Sequence, residues 1–447
     1  MLIAVNTNPM NAIGRFTKNI MDSVADAGVS FLNFTRLQGS ATQILLDLCD
    51  DLVSHKGVAS GIALAREVVH RYNKLSINDK LIFFKELNKN MNLDYDSIKS
   101  AAETFTNSPN EKNLVALSTS LKSKRQKLFS RMNMAPEGTK AIVNLRDDLL
   151  QLIPTHSELS SLDEELRAQL TSWFNPGFLV LKRINWETEA SILEKIILYE
   201  SVHTITDWND LKSRLSTNKR CFAYFHPALD DEPLIFVEIA LTKGISRSIQ
   251  SIIKEKDSKV KQADTAIFYS INNCQRGLKK VPLGNFLIKM VVTELAKELP
   301  SIKKYSTLSP IPGFATWLND EIKKEKSKFL SKTDVSWLAS LKDKLWYKDP
   351  EKVKKLKPHL TKACAIYLLK AKRYDKPINA VARFHFGNGA KLYQINFMGN
   401  TSEYGITKSF GLMVNYLYEL KSIEANHEAY VKDGELAVSK SVKKLLG

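Results

Sequence analysis

Cysteine is scarce in this chain of 447 residues, and its placement excludes more than its number does. Cys49, Cys221, Cys274 and Cys364 lie far apart, with no Cys-x-x-Cys and no Cys/His ligand spacing. The histidines are equally dispersed, and no His-Glu-x-x-His occurs. Neither a disulfide framework nor a protein-built metal site is expected, and isolated thiols suit a reducing compartment. Long apolar runs are missing too. The best, Leu234 to Leu241, is short and carries Glu238, whereas a membrane span needs about 18 apolar residues. Between Met1 and Gly14 no basic stretch is followed by an apolar one, so no secretory signal is read. Arg15 and Lys18 would suit an amphipathic presequence, but Asp22 and Asp26 follow them. The ending Lys443-Lys444-Leu445-Leu446-Gly447 is not a peroxisomal signal. The expectation is a cytoplasmic protein.

Charge of one sign is in excess. Lys plus Arg number 65 against 48 Asp plus Glu, a net charge of +17 and a pI near 9.4. Such a chain attracts anions: nucleic acid, a membrane surface or a phosphorylated cofactor. No zinc-finger spacing or RNP-type aromatic motif supports nucleic acid. Lysine-rich stretches such as Ile322 to Lys328 mix both signs and read as solvated helix faces. At 44% hydrophobic and 25% charged residues the chain is globular rather than disordered, and its length allows about two to four domains.

Proline divides the chain into two textures. None occurs between Pro9 and Pro109, and the first 175 residues look helical. Ile44, Leu45, Leu48 and Leu52 share a helical face, as do Leu114, Leu117, Leu121 and Leu128. Ser161-Leu162-Asp163-Glu164 reads as a capping box opening a helix with Leu162, Leu166, Leu170 and Trp173 on one side. Asn175-Pro176-Gly177 stops it, which places a domain boundary there: residues 1–175 helical, 176–447 mixed. In the second part Cys221–His226, Leu234–Leu241, Thr265–Ile271, Tyr305–Leu308 and Leu392–Phe397 look like strands. Helices are expected over about Leu283–Glu298 and 351–372. The alternation implies an α/β or α+β layer structure.

Four stretches could carry chemistry. Ala266 to Lys289 reads strand, polar turn, helix, with Gly277 and Gly284 flanking Lys279 and Lys280. A helix N-terminus there could take a pyrophosphate, or the segment is an ordinary loop cap. In Leu308-Ser309-Pro310-Ile311-Pro312-Gly313-Phe314 two prolines fix two φ angles, so the Ser309 hydroxyl stands on a stiff platform or simply in a structural turn. His385 lies between Phe384 and Phe386, before Gly387-Asn388-Gly389. It is either a satisfied structural histidine or an imidazole tuned for proton transfer near neutral pH. Tyr416 and Tyr418 are spaced two apart and could be packing residues with polar tips.

Taken together these segments resemble malonyl-CoA decarboxylases. The resemblance rests on Phe268-Tyr269-Ser270-Ile271, Gln275-Arg276-Gly277-Leu278, Leu283-Gly284-x-Phe286-Leu287-Ile288-Lys289, the Ser309 segment, Phe384-His385-x2-Asn388-Gly389-Ala390 and Asn415-Tyr416-x-Tyr418. Glu232-Pro233-Leu234, Ala240-Leu241-Thr242 and Ala59-Ser60-Gly61-x-Ala63-Leu64-Ala65-Arg66-Glu67 fit the same pattern, so nearly the whole chain is covered in order. The resemblance implies an α+β protein: an N-terminal helical domain followed by a GNAT-like acyl-CoA-binding α/β catalytic domain. It implies decarboxylation of malonyl-CoA to acetyl-CoA and CO2, without cofactor or metal, by a homotetramer. Ser309 and His385 match the catalytic serine and histidine. Lys279, Lys280, Val281, Pro282, Leu283, Gly284 and Asn285 fall on the CoA-binding loop, and Ser270 and Tyr418 on further active-site positions. One position departs: family members can carry glutamate where this chain has Pro282. A CoA-dependent acyltransferase of the same fold is the rival reading, and neither nucleic acid nor membrane is an expected partner.

Overall fold

The computed structural model describes residues 9–30, 32, 39–254, 262–283 and 287–446. Gly284 and Asn285 of the expected CoA loop lie outside the described residues. The chain forms two compact units. One comprises Met1–Val180, Phe225–Leu234 and Asn273–Leu283; the other comprises Leu181–Tyr224, Ile235–Asn272 and Gly284–Gly447.

The first unit is helical. Ser40, Ser76, Asp94, Asn110 and Ser123 each start a helix by accepting a backbone N–H of its first turn, which satisfies donors that the helix itself cannot. Leu45, Leu48 and Leu52 are buried with Phe83, Phe84, Leu128, Phe129, Leu162, Leu166 and Leu170 in one core, with Ile44 and Trp173 packed against it. The apolar stripe expected over Leu114–Leu128 is broken. One helix ends at Ser120 and another begins at Lys124, so the phase is lost: Leu114 and Leu121 are exposed and Leu128 is buried. The expected capping box at Ser161 is absent as well. A 3-10 turn over Ser157–Leu159 runs directly into the helix Ser160–Trp173, and Asp163 instead accepts from Arg146 Nε at 2.7 Å.

Nine strands are described: β1 Val180–Ile184, β2 Lys219–Phe225, β3 Ile235–Thr242, β4 Thr265–Asn273, β5 Lys304–Thr307, β6 Lys372–Arg373, β7 Lys376–Pro377, β8 Lys391–Asn396 and β9 Met413–Tyr418. Seven form one sheet in the order β1-β2-β3-β4-β5-β9-β8, and β6 pairs with β7 alone. The sheet is mixed. β4 and β5 run parallel, with Phe268 opposite Thr307, whereas β5–β9 and β8–β9 are antiparallel. A parallel pair needs a crossover, and the helix Leu287–Glu298 supplies it, burying Leu287, Ile288, Val291, Val292 and Leu295. Every residue of β2 is buried and β3 is nearly so, as expected of central strands read from continuous apolar runs. The arrangement is α+β.

Candidate active site

β5 ends at Thr307, and the chain continues past Leu308 to Ser309. Leu308 N–H donates to Phe268 O of β4 at 2.9 Å. Ser309 N–H donates to Val414 O at 2.8 Å, and Val414 N–H returns to Ser309 O at 2.9 Å. Ser309 is thereby fixed to β4 and β9, and Pro310 and Pro312 stiffen the backbone on its C-terminal side. Gly313, at φ +78°, then opens the helix Phe314–Lys323.

His385 follows the β7 strand in the chain. It is on the short helix Ala380–Gly387. Asn379 caps that helix by accepting Ala382 N–H at 2.8 Å, and Gly389, at φ +75°, ends it. A β-carbon on Gly389 would stand 2.0 Å from Ile423 O, so glycine is required there twice over. One helical turn brings His385 and Phe386 inward and leaves Phe384 half-buried. The imidazole stacks on Tyr416, with ring centroids 4.4 Å apart.

Ser309, His385 and Tyr418 meet. Ser309 Oγ is 3.1 Å from His385 Nε2, and Tyr418 Oη is 2.8 Å from His385 Nδ1. Ser309 also donates its hydroxyl hydrogen to Thr307 Oγ1 at 2.9 Å, and Tyr416 N–H donates to the same oxygen at 3.1 Å. These bonds assign the proton positions. With the Ser309 hydrogen directed to Thr307, His385 Nε2 is the donor to Ser309 Oγ. Nδ1 is then bare and accepts from the Tyr418 phenol. All four residues are buried. Burial alone lowers the His385 pKa to about 3, so the imidazole is neutral and not poised near neutral pH, one of the two settings its sequence allowed. Burial also raises the Tyr418 phenol well above its ordinary range, so it keeps the proton it donates.

Ser270 is engaged elsewhere. Its hydroxyl donates to Glu200 Oε2 at 2.7 Å, and Asn272 Nδ2 donates to the same oxygen at 2.8 Å. The N–H groups of Val202 and His203 hold Glu200 Oε1, each at 2.8 Å. Beside this lies Glu238, fully buried, its carboxyl raised well above the usual range by burial and secondarily by Glu200. Arg214 Nη1 donates to Glu238 at 3.1 Å. Among the loop residues Lys279, Lys280 and Pro282 are exposed and Val281 and Leu283 buried. Arg146, also in the first unit, donates from Nη1 to Gly277 O at 2.6 Å and Lys279 O at 3.0 Å. Among the described residues no group of three His, Cys, Asp or Glu could hold a metal ion.

Sequence reading missed Thr307, Glu200 and the role of Asn379. Asn379 carried a usable signal, an N-cap residue before a helix-favouring run; Thr307 carried none. A cleft of about 470 Å³ lies between the helices Leu287–Glu298 and Ile423–Asp433, lined in part by Ile288, Thr293, Tyr418 and Ile423. Tyr418 thus borders both the cleft and His385.

Family models of the malonyl-CoA decarboxylase C-terminal and N-terminal domains match residues 177–447 and 92–174. Mitochondrial malonyl-CoA decarboxylase of Anser anser anser is 39% identical over 341 residues, 70% of this chain and 68% of that protein. The Rattus norvegicus enzyme is 34% identical over 345 residues, 71% and 70% respectively. The crystal structure of malonyl-CoA decarboxylase from Rhodopseudomonas palustris superposes with a TM-score of 0.88 at 43% identity, covering 91% of this chain and all of that one. That from Agrobacterium vitis gives 0.86 at 40% identity, over 90% and 99%.

Proposed function

Because the chain belongs to the malonyl-CoA decarboxylase family, we propose that Ser309, His385 and Tyr418 carry out the family's reaction. The enzyme is a carboxy-lyase, converting malonyl-CoA to acetyl-CoA and CO2. The observation that carries the residue assignment is the buried pair, with Ser309 Oγ 3.1 Å from His385 Nε2 and Tyr418 behind it.

Decarboxylation breaks the bond between Cα and the carboxylate and leaves its electron pair in the thioester as an enolate. Cα then takes a proton, so each turnover consumes one. His385 is neutral by itself, because burial disfavours its charge. The malonyl carboxylate brings a negative charge into the same surroundings, which favours the imidazolium. His385 therefore takes up a proton after malonyl-CoA is bound and before CO2 leaves. When CO2 leaves, the negative charge passes to the enolate, the Nε2 proton passes to Cα, and His385 is neutral again. Ser309, turning its hydroxyl from Thr307, donates to the carboxylate and holds it out of the thioester plane. In the imidazolium Nδ1 also carries a hydrogen, which Tyr418 Oη accepts, so the Nε2 hydrogen is the one delivered; proton exchange then restores the resting Nε2–H tautomer. The thioester is its own electron sink, so this route calls on no cofactor.

Lys279 to Asn285 would take the CoA phosphates, and Ser270 a further substrate contact. The cleft bordered by Tyr418 is our assignment for the entry of the malonyl thioester. We assign the mixed sheet to a GNAT-like catalytic domain over 176–447, supported by the parallel β4–β5 pair and its crossover helix. A homotetramer belongs to the same reading. So does a cytoplasmic location; the goose and rat relatives are named mitochondrial, and fractionation of the cell distinguishes the two.

Incubation with malonyl-CoA alone tests the activity: acetyl-CoA and CO2 should appear in equal amounts with no acceptor amine present. An absolute requirement for an acceptor would mean acyl transfer instead. His385→Asn should lose far more in kcat than in CoA affinity, and wild-type turnover in it would remove His385 as proton donor.

A further inference from the structure

Ser309 and His385 sit on separate elements 76 residues apart in sequence, and one buried side chain joins those elements. Asn379 uses both ends of its amide. Its Oδ1 accepts Ala382 N–H at 2.8 Å and so starts the helix that carries His385. Its Nδ2 donates to Pro312 O at 2.9 Å, on the rigid Pro310-Ile311-Pro312 run after Ser309. Asn379 is 1% exposed, so water cannot substitute for either bond. Tyr367 Oη donates to the same carbonyl, also at 2.9 Å, but it belongs to neither of the two elements. A helix of eight residues has little stability of its own and depends on its cap. A displacement of Asn379 therefore moves His385 and the Ser309 loop relative to each other.

We propose that Asn379 is a positioning residue for the reaction, tying the helix of His385 to the loop of Ser309 and so setting their separation. The proposal rests on the reading that Ser309 and His385 carry the decarboxylation. Asn379 touches neither of them; it acts through Pro312 and through the helix start.

Asn379→Ser separates the two functions. Serine is as good a cap as asparagine, but it is too short to reach the Pro312 carbonyl. The helix is kept and the tether lost. A misplacement of the order of 1 Å costs about 100-fold in rate, so kcat should fall by about ten- to a hundredfold with KM for malonyl-CoA little changed. Ser331→Ala, which removes the cap of the helix Lys332–Leu338, is the control for lost stability alone. The same substitution in a His385→Asn background should cost nothing further, because Asn379 acts through the pair. A kcat for Asn379→Ser no lower than that of Ser331→Ala overturns the proposal, and so does a full additional loss in the His385→Asn background. Should the serine variant fail to fold, Asn379→Asp decides by the same criteria: it keeps the cap oxygen and sets a second oxygen against the Pro312 carbonyl. Wild-type turnover in Ser309→Ala and His385→Asn would bring down the underlying reading and the tether with it. Loss of turnover there with wild-type kcat in Asn379→Ser brings down the tether alone.

Discussion

Tyr418→Phe isolates one hydrogen bond at the centre of the site. The variant keeps the ring that packs edge-on against His385, with centroids 6.1 Å apart, and removes only the hydroxyl 2.8 Å from Nδ1. His385 is buried, so Nδ1 finds no water in its place. Leaving a buried polar atom unpaired costs about 1–3 kcal/mol. That cost stands whichever nitrogen holds the proton, and in the imidazolium that delivers the proton the Nδ1 N–H has no acceptor. The penalty for forming that unpaired imidazolium then enters the barrier, and 1–3 kcal/mol corresponds to about a 5- to 150-fold loss in kcat. KM should hardly move, because the phenol acts on His385. Steady-state release of acetyl-CoA from malonyl-CoA measures both constants. A kcat within twofold of wild type would refute the role of the Nδ1–Tyr418 bond, and a loss confined to KM would assign Tyr418 to substrate binding instead.

Acid should expose the burial of His385. Its pKa is about 3 in the folded protein against an ordinary 6.5, with burial as the cause. The unfolded chain therefore binds the proton first, and the stability this gives is complete above pH 6.5 and lost as pH falls towards 3. At pH 4.5 the share lost from this one group is about 3 kcal/mol, two pH units below 6.5. His203, lowered to about 4 chiefly by burial, acts in the same direction over much of that window. Urea unfolding at pH 7.5 and 4.5 should show His385→Asn losing less stability than wild type; equal losses would contradict the depressed value. In the helical unit, a β-carbon at Gly277 would stand 1.9 Å from Val143 O and 2.8 Å from its carbonyl carbon. Both sides of that contact are backbone, so Gly277→Ala should destabilise the protein by about 1–3 kcal/mol or more. A wild-type melting temperature would show that the loop yields.

The residue types of the site were legible, but their geometry was not. Two prolines after Ser309 announced a rigid display, and the backbone bonds to Val414 supply it. β2, β3 and β4 were readable because each carries a run of apolar and β-branched residues, as in Cys221–Phe225, Ile235–Val237 and Ala266–Tyr269. The element that carries His385 was not read; the Asn379 cap and the Gly389 stop make it a short helix. Leu114 and Leu121 misled, since their spacing fits a helix that breaks between them and Leu128. Thr307 could not be found at all. Its importance lies in where β5 and β9 bring it, and pairing across more than 100 residues leaves no local trace.

The direction of the hydrogen bonds also bears on the rival reaction. An enzyme that forms an acyl-serine needs the serine proton aimed at its base. Here Ser309 donates to Thr307 Oγ1, an oxygen already held by Tyr416 N–H, and receives a hydrogen bond from His385 rather than giving one. The imidazole is neutral with Nδ1 filled by Tyr418, so it has no free lone pair with which to deprotonate Ser309. Such a triad is poorly set to attack a thioester. Once the malonyl carboxylate has favoured its imidazolium, it can present the Nε2 proton to a carbanion formed beside it. Decarboxylation asks for that and for a group to hold the departing carboxylate, and it too turns the Ser309 hydroxyl from Thr307; an acyl-serine route would require in addition that Nε2 be bare before the first step.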